Sequence, residues 1–282
     1  MKITIGIDIG GSRTKIIGIE SAPDGSKNLK SPMLVISGDP VASLFGAFGK
    51  FIDENSLVLS DVEKVVLTGV GASFASRQIF GLPSFKAPEF LAIGRGGLYL
   101  SGLGRALIVS MGTGTALVLA DGENIVHIGG SGVGGGTIMG LSGRLLNIRD
   151  IDIIAGMASS GDLGRADLLV SDLVKDGLPG LPPSTTASNF GRVSDIATPN
   201  DLALGLFNMV YQTIGIISAM YLKNTDINHI VLTGSLTKTP CCAGIFDTLS
   251  KLYGVRFIIP EYAEYATALG AALCQTPRNG TL

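Results

Sequence analysis

The chain has 282 residues and a mass of 29.1 kDa, which suits one large domain or two modest lobes. Hydrophobic residues make up 46% and charged residues 16%, so there is ample material for a core. The net charge is −2 and no run of Lys or Arg occurs, which excludes a nucleic-acid backbone as partner. The 40 glycines cluster in short loops, which indicates tight turns or backbone close to a ligand.

Neither the cysteines nor the N-terminus indicates export or a structural metal. Cys241, Cys242 and Cys274 lack metal-ligand spacing, and neighbouring cysteines rarely pair. We therefore expect a reducing cytoplasm without a zinc or iron–sulfur site. Residues 1–8 run straight into strand-like alternation and do not form a signal peptide.

The first part of the chain alternates strands and helices. Strands are predicted at 2–8 and 14–20, joined by a glycine hairpin, and a third at 33–37. Helical spacing follows at 40–53, a buried strand at 64–68, and helices at 71–80 and 88–101.

A second round begins near residue 105. We predict strands at 106–110, 115–120 and 124–128, helices at 134–146, 150–158 and 164–175, and a loop at 177–183. A long helix at 201–223, a strand at 229–233, a helix, a strand at 255–259 and a helix at 262–274 complete the chain. The uncharged segment between Asp201 and Lys223 has the length of a membrane span. Its polar residues, among them Asn208, Gln212 and Ser218, favour a central buried helix instead.

The two halves repeat each other. Residues 65–69 (VVLTG) and 230–234 (IVLTG) are near copies, and glycine turns at 8–12 and 110–114 both lie between strands. This α/β plan resembles the duplicated actin-like (ribonuclease H-like) ATPase fold, with two lobes of mixed sheets flanked by helices. The boundary is predicted near residue 103, with an N-terminal lobe at 1–103 and a C-terminal lobe at 104–282.

Three turns are candidate nucleotide loops. In the first, Asp8-x-Gly10-Gly11-x-x-x-Lys15, bare backbone N–H groups admit phosphate oxygens. Asp8 would hold Mg²⁺ through water, and Lys15 would face the transferred phosphate; a plain glycine hairpin with a surface lysine is the alternative. The second is 110–115 (SMGTGT), and the third, 231–235 (VLTGS), suits an adenosine. Walker and dinucleotide-binding patterns are absent.

Over nearly its whole length the chain resembles the type II pantothenate kinases. The resemblance rests on 8–15, 88–90 (PEF), 112–115 (GTGT), 129–137 (GGSGVGGGT) and 187–191 (ASNFG). It implies ATP-dependent phosphorylation of pantothenate, the first step of coenzyme A biosynthesis, by a cytoplasmic homodimer that uses ATP and Mg²⁺. It implies Glu89 as catalytic base, with Asp8 and Lys15 beside it, although a carboxylate at a helix start is also a common N-terminal stabiliser.

The resemblance also assigns binding positions. Those for ATP and its phosphates are Gly10, Gly11, Ser12, Gly112, Thr113, Gly114, Thr115, Gly134, Gly135, Gly136, Gly234 and Ser235. Those for the acceptor are Thr113, His127, Gly129, Gly130, Asn189 and Phe190. The loop at 129–137 opens a helix, so its N–H groups and positive end are expected to receive an anion.

Two positions depart from the family. His127 stands where the family usually has Arg, and Ala116 where it often has Ser. Arg holds a carboxylate with two prongs, whereas a neutral His offers one donor. Pantothenate would then bind more weakly, be held by Arg144 or Arg192, or be replaced by another acceptor.

Other functions stay open. One is an actin-like kinase for another small alcohol, such as a pantothenate analogue or an amino sugar; the Cys/His zinc cluster of ROK sugar kinases is missing. Another is an ATP-driven activator, but the cysteine that holds the iron–sulfur cluster in dehydratase activators has no counterpart within residues 1–240. A catalytically weak ATP-binding regulator is the third.

Overall fold

A computed structural model describes residues 2–11, 13–22, 24–36, 39–75, 78–175 and 178–274. The strands are β1 (Lys2–Ile9), β2 (Arg13–Ser21), β3 (Lys27–Ile36), β4 (Val62–Thr68), β5 (Ser84–Lys86), β6 (Arg105–Met111), β7 (Thr115–Asp121), β8 (Asn124–Ser131), β9 (Leu168–Leu169), β10 (Thr186–Ser188), β11 (His229–Thr233) and β12 (Arg256–Ile258). The helices are α1 (Pro40–Glu54), α2 (Glu89–Ser101), α3 (Gly135–Leu145), α4 (Ile151–Ala158), α5 (Val170–Leu173), α6 (Pro199–Leu222), α7 (Cys242–Tyr253) and α8 (Ala266–Leu273).

Two five-stranded sheets have the same topology. Their orders are β3-β2-β1-β4-β5 and β8-β7-β6-β11-β12. In each, three antiparallel strands come first in the chain and two parallel strands follow. The internal repeat predicted from the sequence is therefore a repeat of structure.

The near-identical pair of glycine turns has one backbone geometry. Gly69 follows β4 with φ 86° and ψ 168°, and Gly234 follows β11 with φ 92° and ψ 173°. Residues with a side chain rarely adopt these positive φ values, so glycine is needed at both places. A Cβ on Gly69 would also lie 2.5 Å from Oδ1 of Asp8. Both turns thus bring the backbone close to the neighbouring strand end.

Two helices each pack on the sheet that belongs to the other half of the chain. The α2 helix packs against β6, β7, β8 and β11 of the second sheet, whereas α8, near the end of the chain, packs on β1, β2 and β4 of the first. They cross at Gly96 and Gly270, where a Cβ would overlap the carbonyl oxygens of Ala266 and Ala92. This close crossing joins the two halves beneath the cleft that separates their sheets. The sequence boundary at residue 103 stays a prediction.

The long α6 is a core helix. Its length and composition would allow a membrane span, but most of it is buried inside the molecule. Phe207, Tyr211 and Ile214 belong to the largest core cluster, and the Tyr211 hydroxyl donates to the carbonyl of Leu236 at 2.8 Å. The buried central helix expected from the polar interruptions is the one observed.

Several predicted elements differ from the structure. The helix predicted at 164–175 is wrong: a 3-10 turn, the short β9 and the single-turn α5 occupy that range. Tertiary contacts decide there, because β9 pairs with β10 across the chain. The helix predicted at 71–80 is a 3-10 turn at Val70–Phe74. The final predicted helix is broken at Tyr262, whose φ is 59°, and only α8 remains. The third strand starts earlier than predicted, at Lys27.

Candidate active site

One large cavity, of about 1140 Å³, lies in the cleft between the two sheets. The predicted site residues that line it are Asp8, Gly10, Gly11, Lys15, Glu89, Gly112, Thr113, Gly114, Thr115, His127, Gly130, Gly135, Gly136, Gly234 and Ser235. Ser12 lies outside the described residues. All three candidate nucleotide loops therefore meet at one cavity, although they come from distant parts of the chain.

Asp8 and Lys15 face each other across the first hairpin. They are paired residues of β1 and β2, and Nζ of Lys15 lies 4.0 Å from Oδ2 of Asp8. Both side chains are largely buried. Burial raises the pKa of Asp8, and the charge on Lys15 opposes this only in part. In this hairpin the charge on Lys15 therefore only partly compensates the cost of burying the Asp8 carboxylate.

Glu89 is the first residue of α2, preceded by a Pro88 whose side chain makes no capping bond. The limited hydration inside the cavity raises the pKa of Glu89, and repulsion from Asp8 raises it further. A carboxyl group with a raised pKa is a stronger base once ionised. The helix start stabilises the ionised form to a small extent. The two carboxylates that the sequence separates by 80 residues are therefore electrostatic neighbours.

The second loop is a tight hairpin between β6 and β7. The N–H of Gly112 donates to the carbonyl of Gly114 at 2.9 Å. The hydroxyl of Thr115 donates to the carbonyl of Val133 at 2.9 Å, which ties the hairpin to the glycine-rich turn before α3. The hydrogen bond to Val133 thus fixes the hairpin, and Thr113 and Gly114 line the cavity.

The backbone N–H groups at the start of α3 already donate hydrogen bonds within the protein. The N–H groups of Gly135 and Gly136 donate to the carbonyls of Gly112 and Thr113, each at 2.9 Å. The N–H of Gly134 donates to a side-chain oxygen at 3.2 Å. These groups are not the free anion donors that the sequence predicted, because the second hairpin uses them. The turn fixes that hairpin, and the positive end of α3 remains near it.

His127 stacks on Phe90 in the wall of the cavity. The rings are 3.8 Å apart between centroids, with an angle of 6° between their planes. A register shift of the β7–β8 pairing separates His127 from Gly129, and Gly129, whose φ is 151°, does not line the cavity. Gly130 and Ala116 do line it. The cavity wall beside Phe90 therefore includes an imidazole where the family usually has a guanidinium.

Gly134, Asn189 and Phe190 do not line the cavity. The segment at 187–191 instead surrounds Asp167, which is fully buried. Oδ1 of Asp167 accepts from the N–H of Phe190 at 2.9 Å, and Oδ2 accepts from Asn208 at 2.8 Å and from Asn189 at 3.4 Å. Here the motif fastens a loop to α6, and a role for it in acceptor binding stays a prediction.

The two arginines predicted as alternative partners of an acceptor carboxylate also lie outside the cavity. Arg144 and Arg192 do not line the cavity, and Arg192 pairs with Asp172 at 2.8 Å. The cavity instead contains Arg13, Lys15 and Lys238. The sequence analysis missed Arg13, although strand alternation places it on the same face as Lys15.

Asp8 suits a metal ion that arrives with a nucleotide. Within the described ranges no three His, Cys, Asp or Glu side chains gather as a metal-binding group. Mg²⁺ in nucleotide sites needs only one or two carboxylates, because phosphates and water supply its other ligands. Asp8, whose pKa burial raises, gains from an added cation. The donor set therefore fits Mg²⁺ carried by phosphate oxygens.

Comparison with known proteins gives a family match and relatives of similar length. Residues 105–273 match the model of the Fumble family. A type II pantothenate kinase of Staphylococcus aureus (strain bovine RF122 / ET3-1) is 30% identical over 281 residues, which covers 95% of this chain and 97% of that relative.

Solved structures are similar in fold. The activator of the 2-hydroxyisocaproyl-CoA dehydratase from Clostridium difficile, with bound ADPNP, has a TM-score of 0.65 at 15% identity and covers 96% of this chain and 93% of its own. The ROK hexokinase from Thermus thermophilus has a TM-score of 0.54 at 16% identity, with 96% and 97% covered. These likenesses confirm the predicted actin-like fold and, at such identity, nothing finer.

Proposed function

The chain belongs to the Fumble family of type II pantothenate kinases, and on that premise we propose that it transfers the terminal phosphoryl group of ATP to the primary hydroxyl of pantothenate. The products are ADP and 4′-phosphopantothenate, and the reaction is the first step of coenzyme A biosynthesis. The observation that carries the proposal is the meeting of Asp8, Lys15 and Glu89 with two glycine hairpins in one cavity.

Each of the three side chains has a distinct task. The acceptor hydroxyl attacks the terminal phosphorus, its proton passes to the carboxylate of Glu89, and the bridging oxygen leaves with ADP. Lys15 offsets the negative charge on the transferred group. Asp8 would hold Mg²⁺, which when bound would neutralise charge on the phosphate oxygens.

The cavity also offers distinct places for the two substrates. The phosphates lie between the hairpins at Gly10–Gly11 and Gly112–Thr115, and the adenosine lies against Gly234 and Ser235. The acceptor lies near Glu89, against the wall formed by His127 and Phe90. The proposal is supported by the fact that all of these residues line one and the same cavity.

The proposed enzyme works as a cytoplasmic homodimer, with an N-terminal lobe at 1–103 and a C-terminal lobe at 104–282. Support for a dimer comes from α6, because Ile217, Met220 and Tyr221 expose 40%, 64% and 36% of their surface near its end. Apolar side chains exposed together on one helix suit contact with a second copy.

The test is ADP release with Mg-ATP and, in turn, pantothenate, pantothenate analogues and amino sugars. Turnover selective for pantothenate is expected in the wild type, and Glu89→Gln is expected to abolish it while ATP still binds. Glu63→Gln, an exposed position on β4, is the matched control and keeps activity. Wild-type turnover rates in Glu89→Gln would refute Glu89 as the base.

Two other results would change the function. Turnover only on another alcohol would keep the mechanism and replace the acceptor, which the His127 departure makes a specific alternative. ATP binding without turnover on any acceptor would instead favour a regulator.

A further inference from the structure

Arg13 spans the cleft that separates the two sheets. It is the first residue of β2, and its carbonyl accepts the N–H of Gly10 at 3.1 Å, which closes the first phosphate turn. Its guanidinium reaches Asp152 near the start of α4, with 3.8 Å between Nη2 and Oδ2. Both residues line the cavity. A cation attached to the first hairpin thus faces a carboxylate on the opposite lobe.

Arg13 and Lys15 lie on the same face of β2. Successive side chains of a strand alternate, so residues two apart point the same way, roughly 7 Å apart along the strand. Lys15 is deep in the cavity beside Asp8, whereas Arg13 faces Asp152, whose side chain is 86% exposed. The two cations therefore form a short row that runs from the floor of the cavity toward its mouth.

The counterion of Arg13 is more exposed to water than those of the other cavity cations. Lys238 pairs at 3.1 Å with Glu264, which is only 12% exposed, and the carboxylate that faces Lys15 is also largely buried. The Arg13–Asp152 separation exceeds hydrogen-bond length, and water screens the pair because the Asp152 side chain is exposed, so the pair contributes little. A phosphate group binds Arg through two parallel hydrogen bonds and is the stronger partner.

We propose that Arg13 leaves Asp152 and binds the nucleotide phosphates that stay behind on ADP, so that it holds the two lobes together across bound nucleotide. The inference rests on the proposed use of ATP. Lys15 serves the transferred phosphate, and Arg13 serves the part of the polyphosphate nearer the cavity mouth. Asp152 holds the guanidinium in place while no nucleotide is bound.

Binding titrations of the full chain with Mg-ADP, a non-hydrolysable ATP analogue and adenosine test this without any acceptor. Arg13→Leu is expected to raise the Kd of both phosphorylated ligands by about tenfold or more, which is about 1.4 kcal/mol per factor of ten. The Kd of adenosine stays unchanged. Arg13→Lys, which keeps the charge but loses the two-pronged contact, lies between. Arg256→Leu, which removes an exposed arginine outside the cavity, is the control and matches the wild type.

Asp152→Asn supplies the second arm. Removal of the competing carboxylate is expected to lower the Kd of ADP by about twofold or more, because phosphate binding no longer has to break the weak Arg13–Asp152 pair. The proposal is overturned if Arg13→Leu leaves the Kd of ADP within twofold, weakens adenosine equally, or raises only the KM of the acceptor. It is also overturned if Asp152→Asn weakens ADP as much as Arg13→Leu does, because the pair would then be a structural latch. Absence of ADP binding by the wild type would refute the kinase function as well.

Discussion

His127 on β8 lies face to face with Phe90 on α2, and Phe90 directly follows Glu89 in the chain. The 3.8 Å stack therefore ties the second sheet to the helix that carries the proposed base. Stacked rings contribute about 0.5–1.5 kcal/mol beyond the area that they bury. The stack thus fixes the shape of the cavity wall next to Glu89.

His127→Arg is expected to lower the KM for pantothenate by about tenfold, because a charged two-pronged contact to its carboxylate replaces at most one neutral donor. The planar guanidinium still stacks on Phe90. The KM for an amide analogue without the carboxylate changes little. Steady-state kinetics on both acceptors measure the difference.

Val126→Arg is the matched control for that substitution. It adds the same charge at an exposed neighbour, 45% accessible, that does not line the cavity. Equal effects of both substitutions, or equal effects on acid and amide, would show that His127 does not face the carboxylate.

The pH dependence of turnover reports on Glu89. Restricted hydration and repulsion from Asp8 raise its pKa above the ordinary glutamate value. A base acts only when ionised, so activity falls as pH drops through this raised pKa. The acid limb of kcat/KM is expected above the ordinary range near 4.3. A profile measured from pH 4 to 9 with an acid limb at the ordinary value would contradict a raised pKa of Glu89 in its role as base.

Gly270→Ala is expected to destabilise the protein by about 3 kcal/mol or more, because the added methyl overlaps the carbonyl of Ala92 in the α2–α8 crossing. Turnover also falls, since α2 carries Glu89. Gly49→Ala is the control: Gly49 is an exposed residue of α1 with nothing within 4 Å of a new Cβ. It is expected to stabilise by about 0.5–1 kcal/mol. Denaturant unfolding measures both, and equal stability of the two variants would contradict the close crossing.

Asp167→Asn is expected to destabilise by about 3 kcal/mol, because a buried carboxylate that accepts several hydrogen bonds becomes an amide with two donors of its own. The Kd of ADP is expected to stay the same, since Asp167 does not line the cavity. Asp247→Asn, an exposed change on α7, serves as control. Loss of ADP binding in a variant of undiminished stability would contradict a purely structural role.

Local sequence patterns were good guides wherever the chain interacts with its near neighbours. The β-branched residues of β1 and β2, the turn at Gly10, and the copies that end in Gly69 and Gly234 follow from alternation and from the conformations that glycine allows. The repeat of these patterns was enough to predict the fold.

The sequence was less informative where a distant segment competes for the same groups. The helix predicted at 164–175 was lost because β9 pairs with β10, and the N–H groups that open α3 are taken by the second hairpin. The contact of Asn189 with Asp167 was likewise not predictable from its motif. Periodicity contains no information about such partners, because it reports only the local chain.

By itself, the sequence determined the conformations of the glycine turns and the pairing of Asp8 with Lys15 beside the first of them. Only the tertiary structure decided that Glu89 feels the charge of Asp8, that His127 stacks on Phe90, and that Arg13 meets Asp152 across the cleft. The physical reason is range: turn geometry depends on a few adjacent residues, whereas electrostatic coupling and stacking depend on distances that chain folding alone sets.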